Sequence, residues 1–184
     1  MRNATILVVR LRGTATEVIK NIVLAGIGKL VIIDDEVVSE EDLGAGFFFR
    51  DEDVGQKVRK SQLATCGNFM VIFRQRVIAA KARVENLNPL VAVEAISDLS
   101  LLDEQSIEAS ISSVNLVCVT DWHRDGLVGF SYLCFNTYCA HYPVLKILIN
   151  QVCRKKNVPF YCGGTYGLLG YIFCDLLNHE YISP

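Results

Sequence analysis

The sequence predicts an α/β fold: a Rossmann-like, doubly wound and mostly parallel sheet with an antiparallel pair at its C-terminal end. Two observations support this prediction. Short apolar runs of strand length alternate with longer segments whose apolar residues recur at helical spacing. Acidic residues directly follow two of the strand-like runs, at Asp34 and Asp121. Ligands of such sheets bind beyond the carboxyl ends of the strands, so both acids are candidates for a binding site.

The chain opens with a strand–turn–helix–strand unit. Residues 6–9, with the sequence ILVV, form the continuous apolar run that a strand buried on both faces requires. Thr14 and Glu17 have the T-x-x-E spacing of a capping box, which predicts that a helix begins there. Gly26 and Gly28 are expected to end this helix, because glycine tolerates the left-handed turn that closes it.

The second strand, residues 30–33, ends in an acid. In dinucleotide-binding βαβ units, glycines after the first strand let the backbone approach phosphates, and an acid about 20 residues further on binds the ribose hydroxyls. Asp34 stands at that place, whereas the turn RLRGTA after the first strand keeps only Gly13 of the expected glycines. Arg10 and Arg12 in this turn are expected to block a phosphate rather than to bind it. The sequence therefore predicts a nucleotide-type scaffold whose phosphate loop is largely lost.

The rest of the chain continues the alternation of helices and strands. The predicted helices cover residues 78–88, 100–110 and 144–156, and the predicted parallel strands cover residues 91–96, 115–120 and 158–162. The final antiparallel pair is predicted at 170–176 and 180–182, with its turn at Asn178. An aromatic run, Phe47 to Phe49, is expected to pack in the core or against a loop.

Composition excludes several classes of protein. The chain has 184 residues, 51% of them hydrophobic and 21% charged, as in one globular domain. Its formal net charge of −2 gives no electrostatic reason to expect nucleic acid as a partner. No apolar run reaches the length of a membrane span and no signal segment opens the chain, so no membrane partner is expected.

The cysteines and histidines do not predict a metal site. The seven cysteines contain no CxxC pair, which argues against zinc and against a secreted disulfide framework. Cysteines within apolar runs, such as Cys118, are expected to be small buried hydrophobic residues. His123, His141 and His179 lack the spacing of zinc ligands. A reducing compartment, the nucleus or the cytoplasm, is the expected location.

Four segments then resemble a known family, in matching order. They are ATEVIKNIVLAGIGKLVIIDDEVV, DLGAGFFFR, ARVENLNPLV and GLLGYIFCDLLNHEY, and they are spread along the chain from residue 15 to residue 181. The combination resembles the ubiquitin-like-modifier activating enzymes of the ThiF superfamily. Within that family, the chain is most similar to the smaller, non-thioester subunits of heterodimeric SUMO-activating enzymes.

The resemblance implies a role without chemistry of its own. In that family the heterodimer adenylates the modifier with ATP and Mg²⁺ and then forms a thioester, and both the working nucleotide pocket and the cysteine belong to the larger subunit. The implied partners are that larger subunit and SUMO, the implied location is the nucleus and cytoplasm, and no residue of this chain is expected to be catalytic. Four residues match positions of the nucleotide site in active relatives and are interpreted as vestiges of it: Gly13, Asp34, Lys57 and Asp121.

The resemblance also predicts the domain organisation. Residues 1–184 are expected to be a fragment of an incomplete adenylation-type domain, because the family's N-terminal helix and later half have no counterpart here. Residues 58–75 and 126–143 show neither helical periodicity nor strand alternation, and removing each restores the family's spacing. Residues 58–75 begin with Val-Arg and end with Gln, as a translated GT…AG intron can. Both segments are predicted to be read-through introns rather than surface loops, and both should be missing from the abundant mature transcript.

Four alternatives differ in what they require. The small subunit of the related cullin-modifier activating enzyme shares the scaffold. A stand-alone adenylyltransferase of the sulfur-carrier type needs an intact glycine loop and usually paired CxxC zinc ligands, and the sequence has neither. An NAD dehydrogenase needs three glycines after the first strand. A non-functional product, misfolded because of the insertions, is the fourth.

Overall fold

The computed structural model describes residues 1–54, 56–58, 70–72, 75–97, 104–121 and 142–180. Its helices are α1 (Gly13–Leu24), α2 (Glu40–Ala45), α3 (Arg76–Leu87), α4 (Glu104–Ser112) and α5 (Tyr142–Lys156), with a 3₁₀ turn at Asp51–Asp53. Its strands are β1 (Thr5–Val9), β2 (Lys29–Ile33), β3 (Gln56–Val58), β4 (Met70–Ile72), β5 (Ala92–Ile96), β6 (Leu116–Thr120), β7 (Phe160–Tyr166) and β8 (Leu169–Asp175). None of the helices in these ranges is long and apolar enough to cross a membrane.

Six of these strands form one sheet in the order β5-β2-β1-β6-β7-β8. Strands β5, β2, β1, β6 and β7 run parallel, and β8 pairs antiparallel with β7. The predicted fold class, mostly parallel with a C-terminal antiparallel pair, is confirmed. The chain order of the strands reverses between β1 and β6, so the carboxyl ends of these two strands form the switch point where Rossmann-like sheets bind ligands.

Helices cover both faces of the sheet because successive residues of its strands point to opposite faces. On one face, Ile6 and Val8 of β1 belong to a buried cluster with apolar residues of α1 and α3. On the other face, Leu7 and Val9 belong to a second cluster with residues of α4 and α5. All four of these β1 side chains are buried. The central position of β1 places the loop that follows it between both layers.

The capping box predicted at the start of α1 is wrong. The helix begins at Gly13 after Arg12, and no side chain of the preceding residue caps it. The hydroxyl of Thr14 donates instead to Asp121, and the backbone N–H of Thr14 donates to the same carboxylate. Asp121 at the end of β6 therefore caps the start of α1, a role that the local pattern assigned to Thr14 and Glu17. The predicted end of the helix is confirmed at Gly26, whose φ of 78° is the left-handed conformation that favours glycine.

The C-terminal antiparallel pair has different members from those predicted. Strand β7 turns directly into β8 through Gly167 and Leu168, not at Asn178. Gly167 has a φ of 58° and holds the first central position of a two-residue hairpin, where the type II′ turn places glycine. Glu180 lies outside any strand, and residues 181–182 lie outside the described residues.

The other predicted elements agree with the structure wherever it describes them. The helices predicted at 78–88 and 144–156 correspond to α3 and α5, and the helix predicted at 100–110 overlaps α4. Within the aromatic run, Phe48 and Phe49 are buried whereas Phe47 is half exposed. The predicted insertions at 58–75 and 126–143 lie mostly outside the described residues, so their origin stays a prediction.

Candidate functional site

The loop after β1 combines a glycine-type backbone with an arginine side chain. Arg10 directly follows β1, where Rossmann-type loops carry their first glycine, and its φ is 73°. Two hydrogen bonds hold this left-handed conformation: the N–H of Arg10 donates to the carbonyl of Ile33 (2.8 Å), and the hydroxyl of Thr120 donates to the carbonyl of Arg10 (2.9 Å). Arg10 thus has the backbone conformation that favours glycine, at a position where Rossmann-type loops carry glycine, and it adds a side chain there.

Asp34 at the end of β2 is fully buried and surrounded by donors from its own chain. Its Oδ2 accepts the N–H of Leu11 at 2.7 Å, and its Oδ1 accepts the N–H of Glu36 at 2.9 Å. The guanidinium of Arg10 donates to Oδ1 at 3.3 Å, and Arg76 lies 3.7 Å from Oδ2. Burial raises the pKa of Asp34, against the hydrogen bonds and arginine charges that lower it. Both carboxylate oxygens are therefore engaged within the chain, and neither is directed at an open ribose position.

The acids after β2 and three arginines form one electrostatic cluster at the carboxyl ends of β1 and β2. Glu36 contacts Arg10 at 3.1 Å and Arg12 at 2.8 Å, and it also pairs with Arg76. The Nε of Arg76 donates to Asp42 of α2 at 2.8 Å. Burial raises the pKa of Glu36, but the hydrogen bonds from Arg12 and Arg76 and the charge of Arg10 outweigh it and lower that pKa to about 2.

The low pKa of Glu36 makes its contribution to stability depend on pH. Because this pKa falls from 4.5 to about 2 on folding, the contribution is present above about pH 5 and disappears as the pH falls toward 2. We expect Glu36→Gln to lower the free energy of unfolding by on the order of 2 kcal/mol at neutral pH, after allowance for partial exposure of this side chain. Urea titrations across this pH range should show the two proteins converging in stability at low pH. A difference that does not change with pH would contradict the assignment.

Asp121 joins three elements at the switch point. Its Oδ2 accepts the N–H of Thr14 at 2.7 Å, and its Oδ1 accepts the hydroxyl of Thr14 at 2.8 Å and the N–H of Thr165 at 3.1 Å. Its own N–H donates to the carbonyl of Gly163 at 2.9 Å, and its φ is 40°. The first turn of a helix after β1 is where Rossmann-type folds bind phosphate. Here the carboxylate of Asp121 accepts a hydrogen bond from a backbone amide of that turn.

The remaining predicted site residues have different surroundings. A Cβ added to Gly13 would lie 3.2 Å from the Cβ of Ala45, so this glycine lets α1 and α2 approach each other closely. Lys57 lies on β3, opposite Val71 of β4, in a two-stranded sheet that is separate from the six-stranded one. The structure thus brings Gly13, Asp34 and Asp121 to the loop after β1, but it does not place Lys57 in the main sheet.

Sequence reasoning missed the contribution of Arg76. This residue begins α3 and reaches the end of β2 and helix α2, from which it is separated by at least 34 residues of sequence. Its side chain is buried and contacts Asp34, Glu36 and Asp42. No local motif marks an arginine for such a position, because the partners become neighbours only when the sheet forms.

An apolar cavity of about 510 Å³ adjoins Asp121. It lies between α1 and strands β6 to β8, and its lining includes Val18, Cys118, Tyr161 and Ile172. Thr14, a hydrogen-bond partner of Asp121, also lines it. The cavity is apolar, whereas a nucleotide phosphate requires donors, so it does not itself provide a phosphate site.

The buried thiols have the properties of core residues. Burial raises the pKa of Cys118 to about 11 and that of Cys153 to about 12, and it also raises the pKa of Cys162. A protonated thiol is a poor nucleophile near neutral pH. Within the ranges that the structure describes, no group of three or more histidines, cysteines and acids could hold a metal ion.

We compared the chain with protein families and with curated sequences, and the matches agree with one another. The ThiF family model matches residues 1–66. The DNA damage tolerance protein RHC31 of Saccharomyces cerevisiae is 34% identical over 183 residues, which are 100% of this chain and 41% of that protein. SUMO-activating enzyme subunit 1 of Xenopus tropicalis is 30% identical over 183 residues, again 100% of this chain and 41% of that protein. The DNA damage tolerance protein rad31 of Schizosaccharomyces pombe is 30% identical, over 98% of this chain and 46% of that protein.

The chain therefore spans less than half the length of these curated relatives. Among solved structures, a crystal structure of selenomethionine PaaA matches with a TM-score of 0.63 and 16% identity, over 89% of this chain and 38% of that one. At this identity the likeness concerns the fold alone. It agrees with the switch-point architecture described above.

Proposed function

We propose, from the match of residues 1–66 to the ThiF family model, that the chain is part of the smaller, non-thioester subunit of a SUMO-activating enzyme. The names of the relatives that align along the whole chain support this proposal. In this role the chain pairs with the larger subunit, and the heterodimer activates SUMO with ATP and Mg²⁺. We place the protein in the nucleus and cytoplasm.

We propose that the larger subunit binds ATP and that this chain does not. The observation behind this proposal is that Asp34 is hydrogen-bonded within its own chain. An ATP-binding subunit needs this acid to be open toward the ribose and the first turn of α1 to be open toward phosphate. Asp34 instead binds Leu11, Arg10 and Glu36, and Asp121 binds the amide of Thr14. This arrangement does not fit ATP, and we assign ATP, Mg²⁺ and the thioester cysteine to the larger subunit. Gly13, Asp34, Lys57 and Asp121 are then vestiges, and none of them is catalytic.

The structural core supports a scaffold role. The sheet from β5 to β8 and the helices on both of its faces have well-packed buried clusters although the phosphate loop is altered. Hydrophobic packing of this kind does not depend on a bound nucleotide. We also propose that the family scaffold is continuous across residues 58–75 and 126–143, which are insertions into it.

Co-purification tests the proposed partner. A tagged larger SUMO-activating subunit should retain both this chain and a version that lacks residues 58–75 and 126–143, and the shortened version should bind at least as well. The larger subunit of the cullin-modifier activating enzyme is the matched control and should retain neither. Preference for the control would support the cullin alternative, and failure of the shortened version to bind the SUMO-activating subunit would refute the proposal.

ATP–pyrophosphate exchange separates the scaffold role from an independent enzyme. This chain alone should show no exchange with SUMO, ATP and Mg²⁺, whereas exchange should appear when the larger subunit is added. Robust exchange by the isolated chain would instead support a stand-alone adenylyltransferase.

A further inference from the structure

We propose that strand β8 is an interaction surface for a second copy of this chain. The two β8 strands pair antiparallel about a two-fold axis at Ile172 and join the sheets of both copies. In the part of the chain that the structure describes, β8 has β7 on one side and no strand on the other. This inference goes beyond the proposed function and does not depend on the identity of the larger subunit.

The backbone of β8 presents hydrogen-bonding groups at its open edge. On β7, the carbonyl of Gly163 accepts the N–H of Asp121, and the N–H of Thr165 donates to the Asp121 carboxylate. Gly163 and Thr165 therefore direct these groups away from β8, where their partners are Ile172 and Gly170. In an antiparallel pair without mutual hydrogen bonds, both residues point their N–H and C=O groups away from each other. Ile172 and Gly170 thus direct theirs to the open edge.

Strand β8 lacks the features with which proteins protect an open edge. Its seven residues, LGYIFCD, contain no proline or lysine, and its register with β7 continues without a bulge. Its one charged residue, Asp175, is buried and pairs with Arg154 at 2.6 Å. Leu169 and Ile172 are 75% and 74% exposed. An uncharged edge with exposed apolar side chains favours the addition of another strand.

The sequence of β8 is complementary to itself when two copies pair about Ile172. Gly170 then faces Cys174 of the second copy, and Ile172 faces its own counterpart, so the alternate residues with outward backbone groups bond one another. On the face that α5 covers, Tyr171 faces Phe173 of the second copy. Aromatic and β-branched cross-strand pairs are favourable, and this pairing brings no like charges together. A two-fold axis closes the assembly at two copies.

The length of β8 limits the strength of this dimer. A strand of seven residues is about 23 Å long, and pairing at its edge covers only a narrow strip of surface. Interfaces smaller than about 800 Å² per partner are usually weak and transient. We therefore expect a dimer that dissociates on dilution.

Analytical ultracentrifugation of the 184-residue chain in reducing buffer tests the proposal. The average mass of the wild type should rise with concentration from 20.5 kDa toward twice that value. A wild type that stays at the monomer mass at the highest concentration reached would overturn the proposal. Growth beyond two copies would also overturn it, because a two-fold contact is closed.

Substitutions at Ile172 locate the contact. Ile172→Lys and Ile172→Glu each place two like charges opposite each other, and each should raise the dissociation constant at least roughly tenfold. An equal mixture of the two variants should dimerise again, because opposite charges then face each other. Leu90→Lys, at a 91% exposed position between α3 and β5, is the matched control and should dimerise as the wild type does. Folded Ile172 variants that dimerise as the wild type does would place the contact elsewhere and refute the proposal.

Amide hydrogen exchange of the wild type tests the same contact without a variant. The amides of Ile172 and Cys174 point to the open edge and should exchange more slowly at high protein concentration than at low concentration. The amides of Tyr171 and Phe173 pair with β7, and their exchange should not depend on concentration. Exchange at Ile172 and Cys174 that does not change while the mass doubles would contradict pairing through β8.

Discussion

Replacing Arg76 with methionine is expected to lower the free energy of unfolding by about 3–5 kcal/mol, the usual loss when one partner of a buried ion cluster is removed. The Arg76 side chain is only 4% exposed and contacts Asp34, Glu36 and Asp42. Without it, these carboxylates lose a cation in a region where water replaces it poorly. Methionine keeps the unbranched stem and the helix propensity of arginine, so the loss reports the missing guanidinium.

The matched control for this prediction is Arg154→Met. Arg154 pairs with Asp175 at 2.6 Å, but its side chain is 64% exposed. Exposed ion pairs contribute about 0–1 kcal/mol, and the control should lose no more than that. Urea denaturation of both variants measures the difference. Equal losses in the two variants would show that the Arg76 cluster is not a stabilising feature of the fold.

Replacing Phe48 with alanine is expected to lower the free energy of unfolding by about 3–5 kcal/mol, because the substitution leaves a large cavity in the core. The Phe48 side chain is fully buried in the cluster that includes Ile19 of α1 and Val84 of α3. Its loss leaves a space within this cluster, and the surrounding residues can fill that space only in part. The free energy of unfolding from urea titration measures the effect.

The neighbouring Phe47 provides the control for Phe48, since the same substitution is made one residue away. Phe47 is 50% exposed. Its ring contacts are an edge-to-face contact with Phe48 and a cation–π contact with Lys20. Phe47→Ala should therefore lose no more than about 1 kcal/mol. Similar losses at the two positions would contradict the assignment of Phe48 to the core and Phe47 to the surface.

Much of the fold could be predicted from local patterns. The apolar runs at residues 6–9 and 30–33 correspond to β1 and β2, and the strand predicted at 115–120 corresponds to β6. A strand buried on both faces must be apolar throughout, so its composition identifies it without knowledge of its neighbours. The same reasoning placed Asp34 and Asp121 at strand ends, where the structure has them. It could not tell which atoms they contact.

Predictions that needed a choice between partners were less successful. The sequence pattern assigned the start of α1 to Thr14 and Glu17, but Asp121 binds Thr14 from another strand. Gly167 was not recognised as the turn of the C-terminal hairpin, because the pattern alone allowed a later turn near Asn178. In both cases a local signal was compatible with several partners, and tertiary packing selected one.

The sequence by itself determined the scaffold of this protein: the α/β class, the parallel strands and the loss of glycines after the first strand. These properties depend on local periodicity and residue type, which the linear chain contains in full. Only the tertiary structure decided that Arg10, which stands where the pattern expects a glycine, donates a hydrogen bond to Asp34. It also decided that Asp121 accepts the hydrogen bond of a backbone amide in the first turn of α1. Such contacts join residues that are 24 and 107 positions apart in sequence, so they exist only once the strand order brings the ends of β1, β2 and β6 together.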